Sequence, residues 1–114
     1  MNLRDQTSLT TVTLILNASP DSALLNSRAK MLNDAGYYTS SARTSEEAVR
    51  YVMRMNCAVA IICYSFAGTQ RKALSERLRK LSPNTTIICL EPGLDDSQGV
   101  LVSKVEEALT RLTA

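Results

Sequence analysis

Ten residues near the middle of the chain, Asn56-Cys57-Ala58-Val59-Ala60-Ile61-Ile62-Cys63-Tyr64-Ser65, carry no charge and are apolar almost without a break. Phe66-Ala67-Gly68 follows at once. A run this short and this uniformly apolar predicts a strand covered on both faces, at the centre of a parallel sheet. In open parallel sheets the carboxyl ends of the strands are where ligands and chemistry collect. Cys63, Tyr64 and Ser65 stand at that end.

The flanking segments alternate in type. Residues Met1 to about Thr10 are polar and without period, which predicts a flexible tail ahead of a single domain over 11–114. Thr11-Val12-Thr13-Leu14-Ile15-Leu16 is rich in β-branched residues and leads through Asn17-Ala18 to Ser19-Pro20-Asp21. Ser19 is expected to cap a helix with Pro20 in its first position, and Leu25, Ala29 and Leu32 recur at helical spacing. Gly36 stops that helix in a left-handed turn. Tyr37 to Ala42 suits a polar strand at a sheet edge. Thr44-Ser45-Glu46-Glu47 is a capping box, opening a helix with Ala48, Val49, Val52 and Met53 inward. A further helix runs from about Thr69 to Leu81 with Ala73, Leu74, Leu78 and Leu81 as its apolar stripe, and Thr85 to Leu90 reads as another buried strand. Strict strand and helix alternation implies an α/β sandwich built from right-handed crossovers.

The last quarter departs from this pattern. Only Glu91 to Gln98 separate the fourth strand from Val100-Leu101-Val102, too few for a crossover with its own helix, which needs about 10–12 residues. Ser103-Lys104-Val105-Glu106 resembles a second capping box, leaving Gly99 to Val102 as a brief fifth strand. A helix starting at Ser97 also fits, because Leu101, Val105, Ala108 and Leu112 make one stripe; the strand is preferred.

Composition excludes several classes of function. Histidine is absent, which removes the commonest general base and transition-metal ligand. Three cysteines, Cys57, Cys63 and Cys89, lie in apolar runs and cannot all pair within one chain, as expected of a reduced, cytoplasmic protein. No segment has the length and apolarity of a signal peptide or membrane span, so no membrane association is expected. The net charge of +2 does not call for a polyanion partner. The basic face of Arg71, Lys72, Arg77, Arg79 and Lys80 is interrupted by Glu76 and has no interleaved aromatic, so nucleic acid is not expected.

In their order and spacing these segments resemble the receiver domain of bacterial two-component response regulators. The likeness covers about Thr11 to Leu112 and is carried by Leu14-Ile15-Leu16-Asn17-Ala18-Ser19-Pro20, by Ala35-Gly36-Tyr37 with Ser45-Glu46-Glu47-Ala48, by Ala58 to Cys63 with Gly68, and by Pro83 with Ile87-Ile88-Cys89-Leu90. It implies a three-layer α/β/α sandwich with a mostly parallel five-stranded sheet in the flavodoxin-like order 2-1-3-4-5, here with the fourth helix missing or shortened. It also implies a place in two-component signal transduction and the phosphorelay.

Position by position, the resemblance implies lost chemistry. The acidic pair that holds Mg²⁺ in receivers corresponds to Asn17 and Ala18, the phosphoacceptor aspartate to Cys63, the hydroxyl residue ending the fourth strand to Glu91, and the lysine after the fifth strand to Ser103 or Lys104. Mg²⁺ is a hard ion that takes oxygen ligands, usually with a carboxylate or two. Asn17 offers one neutral oxygen, and Ala18 and Cys63 offer none. A phosphoryl group here would lack the cation that neutralises its charge. The expectation is a pseudo-receiver: a non-enzymatic, phosphorylation-independent protein-interaction module with no cofactor and no metal. The alternatives are a receiver activated in a non-standard way and a thiol-based sensor acting through Cys63, with Cys89 on the neighbouring strand as its partner.

Three further expectations concern the surface. Cys63 reads as a small buried hydrophobe, because the sequence sets neither a helix N-terminus nor a cation firmly beside it and Glu91 opposes ionisation. Glu91, Asp95 and Asp96 read as a solvated loop rather than a cation site. Tyr64, Ser65 and Phe66 are candidate partner contacts at a loop tip, or a cover over the vacant pocket. The missing helix should leave apolar surface near the end of the sheet, covered by a homodimer or by another protein partner.

Overall fold

The computed structural model describes residues 13–92 and 97–113. The tail expected over residues 1–10 lies outside the described residues, as do Asp95 and Asp96. The described chain runs β1 (Leu14–Ala18), α1 (Ser22–Asp34), β2 (Tyr38–Ala42), α2 (Ser45–Arg54), β3 (Val59–Ile62), α3 (Gly68–Leu81), β4 (Thr86–Cys89) and α4 (Gln98–Thr113). The strands form one parallel sheet in the order β2-β1-β3-β4. The apolar run is indeed central. Val59, Ala60, Ile61, Ile62 and Cys63 are wholly buried.

Alternation along β1 and β3 divides the core in two. Leu16, Ala18, Ala60 and Ile62 face Ala48, Val49 and Val52 of α2 and Leu74 and Leu78 of α3. Ile15, Val59 and Ile61 face Leu32 of α1 and Leu101, Val105 and Ala108 of α4. Three layers result, with the helices covering both faces of a sheet whose β2 edge is polar, as its sequence suggested.

The helix ends show what the local chemistry decides. Asp21, not Ser19, caps α1: its carboxylate accepts from the amides of Ala23 (3.0 Å) and Leu24 (3.2 Å), so the helix begins at Ser22 and Pro20 stays outside it. Gly36 takes φ +97°, the left-handed turn that releases the chain toward β2. The expected capping box opens α2. Thr44 Oγ1 accepts from the Glu47 amide at 3.1 Å, and Glu47 Oε1 reaches back to the Arg43 amide at 2.7 Å. Met53 is exposed rather than inward, because α2 buries only the narrow stripe of Ala48, Val49 and Val52. In α3, Ala73 and Leu81 are exposed and Ser75 is buried beside Leu74 and Leu78.

The fifth strand is not formed, and the described sheet has four strands rather than five. Gly99 to Val102 are the first turns of α4, and the capping box expected at Ser103 lies inside that helix. Ser97 starts it instead: its hydroxyl accepts from the Val100 amide at 3.3 Å and its carbonyl from the Leu101 amide at 3.1 Å. The helix wins because it sets Leu101, Val105 and Ala108 on one fully buried stripe. With no fifth strand beside it, β4 is an edge. Thr86, Ile87 and Ile88 are half-buried and Cys89 is exposed, where a fully buried strand was expected.

Candidate functional site

The carboxyl ends of β1 and β3 lie side by side, and the segments leaving them build a polar cluster around one sulfur atom. The Cys63 amide donates to the Ala18 carbonyl at 3.0 Å, extending the ladder one residue past β3. From there the chain turns, and Ser65 folds back on its own neighbour. Its hydroxyl donates to Cys63 Sγ at 3.1 Å and its amide approaches the same sulfur at 3.4 Å. Ser19, just after β1 and fully buried, holds Ser65 with a hydroxyl contact of 3.1 Å and accepts from the Asp21 amide at 3.0 Å. The residue expected to cap the helix thus serves this cluster instead.

The decisive member comes from α1. Arg28 is 2% exposed and donates from Nη1 to Cys63 Sγ at 2.9 Å, while its guanidinium carbon lies 5.3 Å from the centre of the Tyr64 ring. Burial pushes the Cys63 thiol up, but the hydroxyls of Ser65 and Ser19, the Ser65 amide and the Arg28 guanidinium outweigh it and hold the thiol below its ordinary range. Glu91 is not among the groups that move it, contrary to the expected opposition. The cation that the sequence did not firmly place beside Cys63 is therefore present. Cys57, also buried, shows the opposite: burial alone raises its thiol above the ordinary value.

The other expected site residues separate. Asn17 is fully buried and donates from Nδ2 to the Leu25 carbonyl of α1 at 3.0 Å, leaving Oδ1 without a partner among the described residues. Ala18 is buried in the core facing α2 and α3. Glu91 follows β4 at the exposed surface, and Lys104 stands on α4, lining a shallow depression with Ser97, Val100 and Ser103. Phe66 is 3% exposed and belongs to the core, so it is not a loop-tip contact; Tyr64 is half-buried under Arg28 and Ser65 is exposed. Cys89 does not approach Cys63. It is in register with Ile62, one residue earlier, so its side chain takes the opposite face of the sheet, where it meets Ser75 Oγ at 3.5 Å.

Sequence reasoning missed Arg28 and Ser19 as site residues. The signal for Arg28 was available: Leu25, Arg28 and Leu32 share one face at spacings of three and four, so a cation stands in the inward stripe. Ser19 gave none, since a serine before proline equally suits a cap.

No family model matches the chain, and no curated protein matches it. Solved structures do. A CheY-like response regulator receiver domain protein from Methanospirillum hungatei superposes with a TM-score of 0.77 at 19% identity, over 90% of this chain and 98% of that one. The fold is the receiver fold. The receiver domain of the hybrid histidine kinase CckA matches with a TM-score of 0.67 at 18% identity, over 84% of this chain and 98% of that one. A response regulator protein from Burkholderia pseudomallei, determined with a phosphorylated aspartic acid, a calcium ion and citrate, matches with a TM-score of 0.63 at 15% identity, over 86% of this chain and 74% of that one. The receiver fold is here built with four described strands, and no described helix is long and apolar enough to cross a membrane.

Proposed function

We propose that this chain is a non-enzymatic protein-interaction module derived from receivers, acting in bacterial two-component-type signalling, in the cytoplasm and without phosphorylation. One observation carries the reading: the Arg28 guanidinium rests on Cys63 Sγ at the carboxyl end of the central strand. The Burkholderia protein carries a phosphorylated aspartic acid and a calcium ion; this pocket holds a thiol and a resident side-chain cation. The residues present do not suit a divalent metal. Asn17 Oδ1 is one neutral oxygen, Ala18 supplies no ligand, sulfur is too soft for Mg²⁺, and a fixed guanidinium repels a second cation. The arrangement holds the pocket in one state by internal contacts, so its surfaces are permanently displayed.

A second reading is favoured by the same contact. A thiol held below its ordinary range is a nucleophile, and Cys63 would serve a thiol-based sensor in which the thiolate attacks a hydroperoxide oxygen, yielding sulfenic acid and releasing hydroxide or alkoxide. Its complete burial opposes this. One experiment with two arms tests both. Under acetyl phosphate with Mg²⁺, intact-mass spectrometry should show no phosphoryl adduct, and an adduct would overturn the first reading. Under hydrogen peroxide with a sulfenate trap, the first reading expects Cys63 to remain unlabelled; labelling there ahead of the exposed Cys89 would move the assignment to the sensor.

A further inference from the structure

Charge is divided between the two helical layers far more unevenly than the net value of +2 suggests. The layer of α2 and α3 carries Arg43 just before the Thr44 cap, with Arg50 and Arg54 on α2. On α3 it adds Arg71, Lys72, Arg77, Arg79 and Lys80. Against these stand only Glu46, Glu47 and Glu76. All of the cations are exposed except Arg71, which is half-buried. The opposite layer, α1 and α4, reverses the balance. There Asp21, Asp34, Glu106 and Glu107 outnumber Lys30 and Lys104 among the described side chains that reach the surface.

The chain itself pairs none of the cations on the basic layer. Among the described residues they have no ion pair and no side-chain hydrogen bond, whereas Lys30 on the other layer pairs with Asp34 at 3.0 Å. Like charges also stack: Arg50 and Arg54 are four residues apart on α2, and Arg77 and Lys80 three apart on α3. Since α2 and α3 pack side by side over the same core cluster, their charges form one field. Such a field repels itself in the free chain and is relieved when an anionic surface lies on it.

The composition of the face indicates which anion. It is richer in arginine than in lysine, and arginine grips a carboxylate through two parallel hydrogen bonds. Arginine and methionine are enriched where proteins meet. Here Met53, 68% exposed, sits between Arg50 and Arg54, and Leu81, 44% exposed, follows Arg79 and Lys80. The one aromatic residue of these two helices, Tyr51, packs half-buried against the core, so no ring is offered for stacking on bases. Arg43 and Arg50 also line a depression of about 420 Å³ beside Pro20 and Thr44, where an acidic side chain meets two cations. Glu47 lines it too, but its Oε1 is engaged by the Arg43 amide at 2.7 Å.

We propose that the outer face of α2 and α3 is a docking surface whose occupant is a glutamate- or aspartate-rich segment of a protein partner. The inference rests on the interaction reading above and gives that partner its chemistry.

Fluorescence anisotropy with a labelled glutamate-rich peptide should show saturable binding at low ionic strength that weakens as salt is raised. Arg50→Glu should weaken it severalfold, and Arg50→Glu with Arg77→Glu by about tenfold or more. Lys30→Glu makes the same change in net charge as Arg50→Glu but on the opposite layer, and should leave the affinity within about twofold. All three residues are exposed, so far-UV circular dichroism should be unchanged in each variant. Duplex DNA of equal charge and phosphatidylserine vesicles should bind more weakly than the peptide. No saturable binding of the peptide, or an equal loss in Arg50→Glu and Lys30→Glu, would overturn the docking surface. Tighter binding of the DNA or the vesicles would overturn it in favour of a nucleic acid or a lipid surface. Either failure without a phosphoryl adduct overturns the docking surface alone and leaves the interaction reading standing, while an adduct overturns that reading whatever the peptide does.

Discussion

Cys57 and Cys63 stand at opposite ends of the same strand, 5% and 0% exposed, and their thiols move in opposite directions. Burial acts on both and in the same sense, so it cannot be the cause of the difference. What differs is the donors. The carboxyl end of β3 gathers the turn after β3, the turn after β1 and the inner face of α1, and these bring two hydroxyls, an amide and a guanidinium to one sulfur. At the amino end the polar atoms serve the backbone: Thr85 Oγ1 donates to the Cys57 carbonyl at 2.7 Å, and the thiol packs in the apolar cluster under α2 and α3. The carboxyl end of this sheet can therefore hold a negative charge and the amino end cannot.

The sharpest way to break the comparison is to place a carboxylate at each end. Cys57→Asp buries an acid without a donor and should cost roughly 3–5 kcal/mol, enough to unfold a marginal domain. Cys63→Asp meets Arg28 and Ser65 and should cost about 1–2 kcal/mol, since charge-assisted hydrogen bonds offset much of the desolvation. Urea denaturation of the two variants measures the difference. Equal costs would mean that the cluster around Cys63 does not stabilise an anion.

The same contrast appears in the pH dependence of stability. The folded value of Cys63 lies below its unfolded value, so within that window the folded chain has released a proton that the unfolded chain keeps. Stability therefore rises with pH up to the ordinary thiol value of about 8.5, and this contribution is lost as pH falls through the folded value. Cys57 is raised, so above about 8.5 the unfolded chain releases a proton that the folded chain keeps, and stability falls as pH rises. Each limb is limited to a slope of about 1.4 kcal/mol per pH unit. Urea midpoints taken from pH 6 to about 9.5, below the range where Tyr37 adds a falling contribution of its own, should pass through a maximum. Cys63→Ser should abolish the rising limb and Cys57→Ala the falling one.

The parts of the molecule legible in the sequence are those fixed by short-range periodicity. The central strand, the polar edge at Tyr38–Ala42, the Thr44 capping box and the turn at Gly36 follow from neighbouring residues, and the structure has each of them. The start of the last helix was not legible in the same way. Ser97 and Ser103 both offer a cap, and the choice rests on Leu101 reaching a core whose other members lie far off in sequence. The site was half legible. Cys63 could be placed at the strand end, but its chemistry comes from Arg28 and Ser19, which are 35 and 44 residues away in the chain. The pairing of β1 with β3 and the packing of α1 on that sheet bring them there, and no local pattern encodes a contact of that range.

The smallest effects give the cleanest dissociation. Ser65 is exposed, so Ser65→Ala should change stability by less than about 1 kcal/mol, yet it removes the hydroxyl that donates to Cys63 Sγ at 3.1 Å. The Cys63 thiol should then rise toward the ordinary range, followed by thiolate absorbance against pH; Arg28→Met, which keeps volume, should raise it as well. At the other end, Thr85→Val removes the buried donor to the Cys57 carbonyl and should cost about 1–3 kcal/mol while leaving the Cys57 thiol where it is. One end thus loses acidity with only the small stability linked to it, and the other loses stability without acidity. If Ser65→Ala leaves the Cys63 titration unmoved, the Ser65 hydroxyl is only packing, and the Ser65 amide, Ser19 and Arg28 are left to separate the two cysteines.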